Sequence, residues 1–267
     1  MEKVIEIIKY IIIGIVQGIS EIFPISSSGH LSLVYFAFNI NEFEKLNLTI
    51  FVHLASCLAL CVFYKKEIKE LIIDFFSYLK NKDISKKDNY NFLLYLVIAT
   101  IPSVIVGLFL KPIIEKSFND IKFIVIGFIL TSILLLYNPN KNLISHYTFK
   151  NTFITGLFQS FALLPGLSRS GTTLFGSKIA KLNNVNGKKL TMFLLIPISI
   201  GSTILSFFDI NNFNSTYLFL YTISFIVTFL ITLISLKLFV NKFTNKHNKF
   251  FSMYLMALSL LILIFMI

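Results

Sequence analysis

Gln159-Ser160-Phe161-Ala162-Leu163-Leu164-Pro165-Gly166-Leu167-Ser168-Arg169-Ser170-Gly171 interrupts an apolar run that extends from about 151 to 182. Proline and glycine in mid-run stop a helix, and serine is a good N-cap for the next one. The run therefore reads as two half-helices joined by a turn. A second stretch behaves alike: Gln17 to Gly29, QGISEIFPISSSG, breaks the run from about 4 to 38 at Pro24-Ile25-Ser26-Ser27-Ser28-Gly29. An offset of 142 aligns Gln17 with Gln159, Ser26 with Ser168, Ser28 with Ser170 and Gly29 with Gly171, and sets Ser27 opposite Arg169. Six further segments read as full spans, at about 47–64, 90–110, 121–137, 190–208, 216–236 and 250–267.

The remaining composition fixes the class. Of 267 residues, 55% are hydrophobic and 14% charged, and the mean hydropathy is +0.79. Apolar runs long enough to cross a bilayer core of roughly 30 Å recur throughout. Irregular backbone at membrane depth is tolerated only when buried in protein or lining a polar cavity. The expected fold is all-α: a polytopic membrane protein with six transmembrane helices plus two re-entrant helix pairs, arranged as an inverted-topology repeat. It forms one integral membrane domain over 1–267, with halves of approximately 1–137 and 138–267. The N-terminal run continues into the first motif, so it is expected to stay in the mature protein rather than be cleaved.

Charge supports this layout. With both broken regions re-entrant, segments 65–89, 138–150, 178–189 and 237–249 share one side and hold 17 lysines. The other side holds Lys3, Lys9, Lys45, Lys111, Lys116 and Lys122, with seven acids. Lysine excess marks the cytoplasmic side, so both termini are expected outside. The net charge of +11 is then explained without nucleic acid. Cys57 and Cys61, four residues apart in an apolar helix, read as small core residues rather than a disulfide or metal site.

Of 24 basic residues only one is arginine, Arg169. A planar, permanently charged fork suits bidentate binding of phosphate or carboxylate, which an ammonium cannot reproduce. Glu21 is the one acid well inside an apolar run; Asp209 sits at a span end and Glu6 near the N-terminus. An ionised group at such depth costs roughly 2.5–3.5 kcal/mol on insertion scales and faces a partner or a cavity. Gln17 shares its helix face. One serine suffices for an N-cap, but here Ser26, Ser27 and Ser28 precede His30. Ser168, Arg169, Ser170, Thr172 and Thr173 form a second polar helix start. Helix N-termini bind phosphate through free amides and the dipole, so two facing each other suit a diphosphate. His53, His146 and His247 lack such company and read as structural or surface residues. There is no HExxH, aspartate-rich run or Walker loop; a divalent ion could still ride on substrate phosphates, held by Glu21 and Gln17.

The stretches Gln17 to His30 and Pro165 to Gly171 together resemble the motifs of the bacterial undecaprenyl-diphosphate phosphatases, also called bacitracin resistance proteins. Their first motif is Glu or Gln, three residues, Glu, then Pro-Ile-Ser-Ser-Ser/Thr-Gly-His; their second is Pro-Gly-x-Ser-Arg-Ser-Gly. Many members carry Glu at the position of Gln17. The resemblance implies a multi-pass protein of the bacterial cytoplasmic (inner) membrane, its active site open to the outer face. The implied activity removes the terminal phosphate of undecaprenyl diphosphate, recycling the carrier lipid for peptidoglycan and other envelope polymers and giving bacitracin resistance. A divalent cation, Mg²⁺ or Ca²⁺, held with the substrate, is also implied. The partners are then the polyprenyl diphosphate lipid and the bilayer; a homodimer is compatible with the sequence.

On this reading Glu21, Ser27, His30 and Arg169 are catalytic. Gln17, Ser26, Ser28, Ser168, Ser170 and Thr172 bind substrate. Ser27 attacks phosphorus with Glu21 as base, or a water does so directly. Arg169 clamps the phosphate, and His30 steadies the same oxygens or protonates the leaving group. A secondary transporter or lipid flippase shares broken helices and inverted repeats. Phosphatases of the PAP2 class need a second arginine that this chain lacks. A purely structural subunit leaves Arg169 and the serine run unexplained.

Overall fold

The computed structural model describes residues 2–118, 120–138, 143–208 and 217–266. In chain order they form α1 (Glu2–Ser20), α2 (Ser27–Ala37), α3 (Glu42–Phe63), α4 (Lys65–Asn81) and α5 (Lys87–Phe118). Then follow α6 (Ile121–Leu136), α7 (Phe149–Phe161), α8 (Arg169–Ile179), α9 (Asn184–Phe208), α10 (Leu218–Lys242) and α11 (Asn245–Met266). Among the described residues there is no β-strand, only an isolated bridge between Ile144 and Leu182. Asp209 and Lys141, which entered the charge reading, lie outside the described residues.

Among the described residues, five helices carry segments long and apolar enough to span a bilayer: 44–63, 84–110, 184–205, 218–242 and 245–265. The sixth expected span, α6, is apolar but only 16 residues long, short of the roughly 20 that a full crossing takes. Both apolar runs break where Pro24 and Pro165 sit: α1 stops at Ser20 and α2 starts at Ser27, α7 stops at Phe161 and α8 starts at Arg169.

The segment 65–89, expected as a lysine-rich loop, is mostly helix α4. Its lysines mask an amphipathic pattern in which Leu71 is buried and Ile68 packs against the core, while Ile72, Ile73 and Phe76 stay exposed. Such a helix suits the membrane interface. Buried Asp74 ties it to the start of α5, accepting from Asn89 Nδ2 at 2.6 Å and pairing with Lys86 Nζ at 2.9 Å. Helix α9 begins six residues before the expected 190 because Asn183 caps it, its Oδ1 accepting from Asn186 N at 2.8 Å.

The 142-residue offset extends well beyond the two motifs. Helices α2 and α8 are both 11 residues long and start 142 apart; α3 and α9 also start 142 apart. Asn41 caps α3 by accepting from Glu44 N, as Asn183 does for Asn186 N. Both short helices end in a left-handed residue, Asn39 at φ 53° and Lys181 at φ 61°. In each, the next amide returns five residues, Ile40 N to Tyr35 O and Leu182 N to Ser177 O. That is the Schellman closure, built here without glycine.

Packing repeats too. A Cβ on Gly14 of α1 would meet Ser224 O of α10 at 2.8 Å, and one on Gly156 of α7 would meet Ala99 O of α5 at 2.1 Å. Absent side chains let each pair of backbones touch, the usual device where lipid surrounds the helices and apolar burial drives little association. Serine and threonine bridge the contacts: Ser224 Oγ donates to Tyr10 O at 2.7 Å, Thr228 Oγ1 to Gly14 O at 3.2 Å and Ser132 Oγ to Ser252 O at 2.9 Å.

Candidate active site

The two breaks meet. Ser170 Oγ, at the start of α8, donates to Phe23 O in the turn after α1 at 3.1 Å. Each half-helix is started the same way. Ser26 Oγ accepts from Gly29 N at 3.3 Å and lies 3.3 Å from Ser28 Oγ. Ser168 Oγ accepts from Gly171 N at 3.1 Å and lies 3.2 Å from Ser170 Oγ. Beyond the capped amides of Gly29 and Gly171, the first amides of each helix have no intrahelical acceptor, which is what an anion needs.

Two backbone positions are held hard. Gly166 turns at φ 78°, with Ile124 O 2.2 Å from where a Cβ would stand. Ser26 takes φ 72° and ψ 95°, a conformation that costs a non-glycine residue about 1–3 kcal/mol and concentrates at functional sites. Thr131 of α6 braces the second turn, accepting from Ser168 N at 3.0 Å and donating to Gly166 O at 3.3 Å.

Ser27 and Arg169, the first residues of α2 and α8, reach different oxygens of Glu21. Ser27 Oγ donates to Glu21 Oε2 at 2.5 Å. Arg169 Nη1 lies 3.6 Å from Glu21 Oε1 and donates to Ser199 Oγ of α9 at 3.1 Å. Gln17 Nε2, one turn earlier on α1, donates to Glu21 Oε2 at 3.1 Å. A carboxylate taken out of water needs such partners. The Glu21 side chain is 2% exposed and that of Arg169 is 22% exposed. The carboxylate is thus enclosed, while the guanidinium keeps a face open to a ligand. In chemical terms this is a hydroxyl held on a carboxylate, a proton-transfer geometry, with a fixed cation close by.

Of the other residues singled out from sequence, His30 is engaged elsewhere. Its Nδ1 lies 2.8 Å from Ser26 O and its Nε2 2.7 Å from Tyr254 OH of α11. Thr172 Oγ1 and Thr173 Oγ1 turn back onto Arg169 O at 3.0 and 2.7 Å. His247 caps Thr244 N at 3.1 Å on the surface. Cys57 and Cys61 are free thiols.

His53, read from the sequence as a structural or surface residue, stands instead beside the site carboxylate. Its Nδ1, on α3, lies 3.6 Å from Glu21 Oε2 and 3.3 Å from Gln17 Nε2. The available signal was its depth: an imidazole in mid-span is an intramembrane ionisable group and calls for a partner. Ser199, Thr131 and Tyr254 carried no such signal, since hydroxyls are common in these helices. Among the described residues no three His, Cys, Asp or Glu side chains gather to hold a metal. Gln17 Oε1, however, is buried without a partner, an oxygen donor left over beside a carboxylate.

Comparison with known proteins gives one answer. A family model described as bacitracin resistance protein BacA matches residues 10–261. The chain is 38% identical over 219 residues to an undecaprenyl-diphosphatase of Acholeplasma laidlawii, covering 78% of each chain. It is 34% identical over 272 aligned positions to undecaprenyl-diphosphatase 1 of Bacillus cereus, covering both chains completely. An undecaprenyl-diphosphatase of Methanococcus maripaludis is 38% identical over 222 residues, 81% of this chain and 84% of that one.

Proposed function

The chain belongs to the bacitracin resistance protein BacA family, and from that premise we propose how its residues carry the family's reaction. The protein is a phosphatase: it hydrolyses undecaprenyl diphosphate to undecaprenyl phosphate and inorganic phosphate, recycling a lipid carrier and supporting bacitracin resistance. The observation that carries the mechanistic reading is the contact of Ser27 and Arg169 with the two oxygens of one enclosed carboxylate, Glu21.

Glu21 takes the proton of Ser27 Oγ as that oxygen attacks the terminal phosphorus. The bond from that phosphorus to the bridging oxygen breaks, and undecaprenyl phosphate leaves. A water then attacks the phosphoserine, phosphate departs, and Ser27 recovers its proton. Arg169 stabilises charge on the equatorial oxygens, the main task in phosphoryl transfer. Its Nη1 is anchored on Ser199 and near Glu21, which leaves the rest of the fork for phosphate. The amides and hydroxyls of Ser26, Ser28, Ser168 and Ser170 hold the remaining charge. His30 steadies the leaving side and would have to release Tyr254 to donate from Nε2. Attack by water without a phosphoserine is the alternative route to the same products.

A divalent cation fits the donors present. Glu21 and the unpartnered Gln17 Oε1 are hard oxygen donors of the kind Mg²⁺ and Ca²⁺ prefer, and Mg²⁺ is commonly held by one or two carboxylates plus substrate phosphates. When bound, the ion would neutralise diphosphate charge and orient the terminal phosphate.

The same reading extends to the membrane. The protein is multi-pass; we take its two broken helix pairs as re-entrant from opposite faces and its halves as an inverted repeat. The site then faces outward and both termini lie outside. The 142-residue recurrence of caps, Schellman closures and glycine contacts supports this. Phosphate release from undecaprenyl diphosphate by the purified, detergent-solubilised protein is the test. A protein that binds the lipid but releases no phosphate would be a carrier instead.

A further inference from the structure

The lysine-rich segments 178–189 and 237–249 meet at a narrow cleft of about 310 Å³, including its open mouth. It lies at the other end of α8 from the reaction site. Arg169 begins that helix and Lys178 stands near its end, about 14 Å along the axis at 1.5 Å per residue. The starts of two further helices line the cleft, α9 at Asn183 and Asn184 and α11 at Thr244 and Asn245. Amides in a first turn have no intrahelical acceptor. Asn183 Oδ1 accepts from Asn186 N at 2.8 Å, which leaves its Nδ2 as a further donor. Among the described residues the lining holds two lysines and no carboxylate. Lys188 Nζ is committed to the end of α10, donating to Phe239 O, Val240 O and Phe243 O at 3.3, 2.8 and 3.1 Å. Lys178 is not so fully engaged. It is 6% exposed, and among the described residues its Nζ donates only to Tyr137 O, at 2.8 Å. An ammonium has three N–H groups, so two remain. No carboxylate among the described residues pairs with it, and a buried cation without a counter-charge is costly.

Asn248 is a second, independent sign. It is 2% exposed and lines the same cleft, and its Oδ1 is enclosed without a partner. A buried acceptor left over in this way calls for a donor from outside the protein. The missing ligand thus offers acceptors to Lys178 and the two helix starts, and a proton to Asn248. We propose that the cleft binds a protonated phosphate group, either hydrogen phosphate or the monoester headgroup of a lipid. The charge, the open amides and the absence of a lining carboxylate select an anion; the enclosed Asn248 oxygen selects one that still carries a proton. This site is separate from the one that holds Glu21 and Arg169, and none of its residues has a part in the reaction.

The test titrates the full-length, detergent-solubilised protein with inorganic phosphate and follows amide hydrogen exchange, which locates binding along the chain. Slower exchange is expected in the peptides that open α9 and α11, whatever happens at the starts of α2 and α8. Sulfate has no proton for Asn248 Oδ1. Its half-saturating concentration for that protection should be at least about tenfold higher, the equivalent of one hydrogen bond to a charged group. Lys178→Met and Asn248→Leu should each lose the protection at α9 and α11. Lys178→Met also removes the bond to Tyr137 O and could fail to fold; Asn248→Leu replaces an unpartnered amide by an apolar group of similar shape, which is close to neutral for folding. A second arm uses nanodiscs of phosphatidylcholine with and without phosphatidate, and no added phosphate. Protection by phosphatidate assigns the site to lipid headgroups; protection by the free ion alone assigns it to inorganic phosphate. No protection at the two helix starts by either probe would leave the cleft to water and overturn the proposal. Equal protection by sulfate, or protection unchanged in Asn248→Leu, would overturn it too.

Discussion

Replacing Arg169 by lysine keeps the charge and removes the fork. In the structure Nη1 already has two neighbours, Ser199 Oγ at 3.1 Å and Glu21 Oε1 at 3.6 Å. The other nitrogens remain for the phosphate. An ammonium has a single nitrogen, so satisfying Ser199 and Glu21 leaves it poorly aimed at a transferring phosphoryl group. Losing one hydrogen bond to a charged group costs about 1.5–3 kcal/mol. If that bond is made in the transition state, turnover falls about 10- to 150-fold. The assay is phosphate release from undecaprenyl diphosphate under saturating substrate, with thermal stability measured in parallel to show that the variant is folded. A fall in kcat of at least tenfold in a stable Arg169→Lys protein is expected. Wild-type kcat in that variant would refute the argument that a guanidinium is needed here.

Other consequences are as direct. Gly156→Ala forces a Cβ to 2.1 Å from Ala99 O, a backbone atom that cannot swing away, and should cost about 1–3 kcal/mol in stability. Gly201→Ala, in α9 with nothing within 4 Å of the new Cβ, should be neutral or stabilising, and equal melting temperatures for the two would count against the packing described. Asp74 has its carboxyl held below the ordinary 3.8 by Lys86 and then Asn89. Its contribution to holding α4 on α5 is therefore complete above about 3.8 and lost as pH falls through the lowered value. Hydrogen exchange should show α4 protection steady from neutral pH down to about 4 and falling below that; Asp74→Asn should lose protection at neutral pH. Chelation of divalent ions should abolish phosphate release and re-addition restore it, and full turnover in chelator would refute the proposed cation.

How much of this could be read from the chain depends on which interactions are local. The two breaks were legible because proline and serine act within a turn of themselves: Pro24 with Ser26 and Pro165 with Ser168 mark where α2 and α8 begin. The pairing of Glu21 with Arg169 was legible because a charge at depth must find a partner. Helix α4 was not, because its core-facing stripe, buried Leu71 and Asp74 with half-buried Ile68, is narrow and its lysines dominate composition. The Schellman closures were not, because Asn39 and Lys181 occupy left-handed positions that glycine usually announces. His53 was missed for a different reason. Its partners lie 32 and 36 residues away on another element, and nothing adjacent to it in sequence names them.

The contact of Ser27 with Glu21 is the centre of the proposed mechanism, and rapid quenching tests it most directly. Protein mixed with undecaprenyl diphosphate labelled in the terminal phosphate, stopped in acid and digested, should carry label on the peptide containing Ser27. Ser27→Ala should carry none and release no phosphate. Wild-type turnover by Ser27→Ala would contradict the assignment outright.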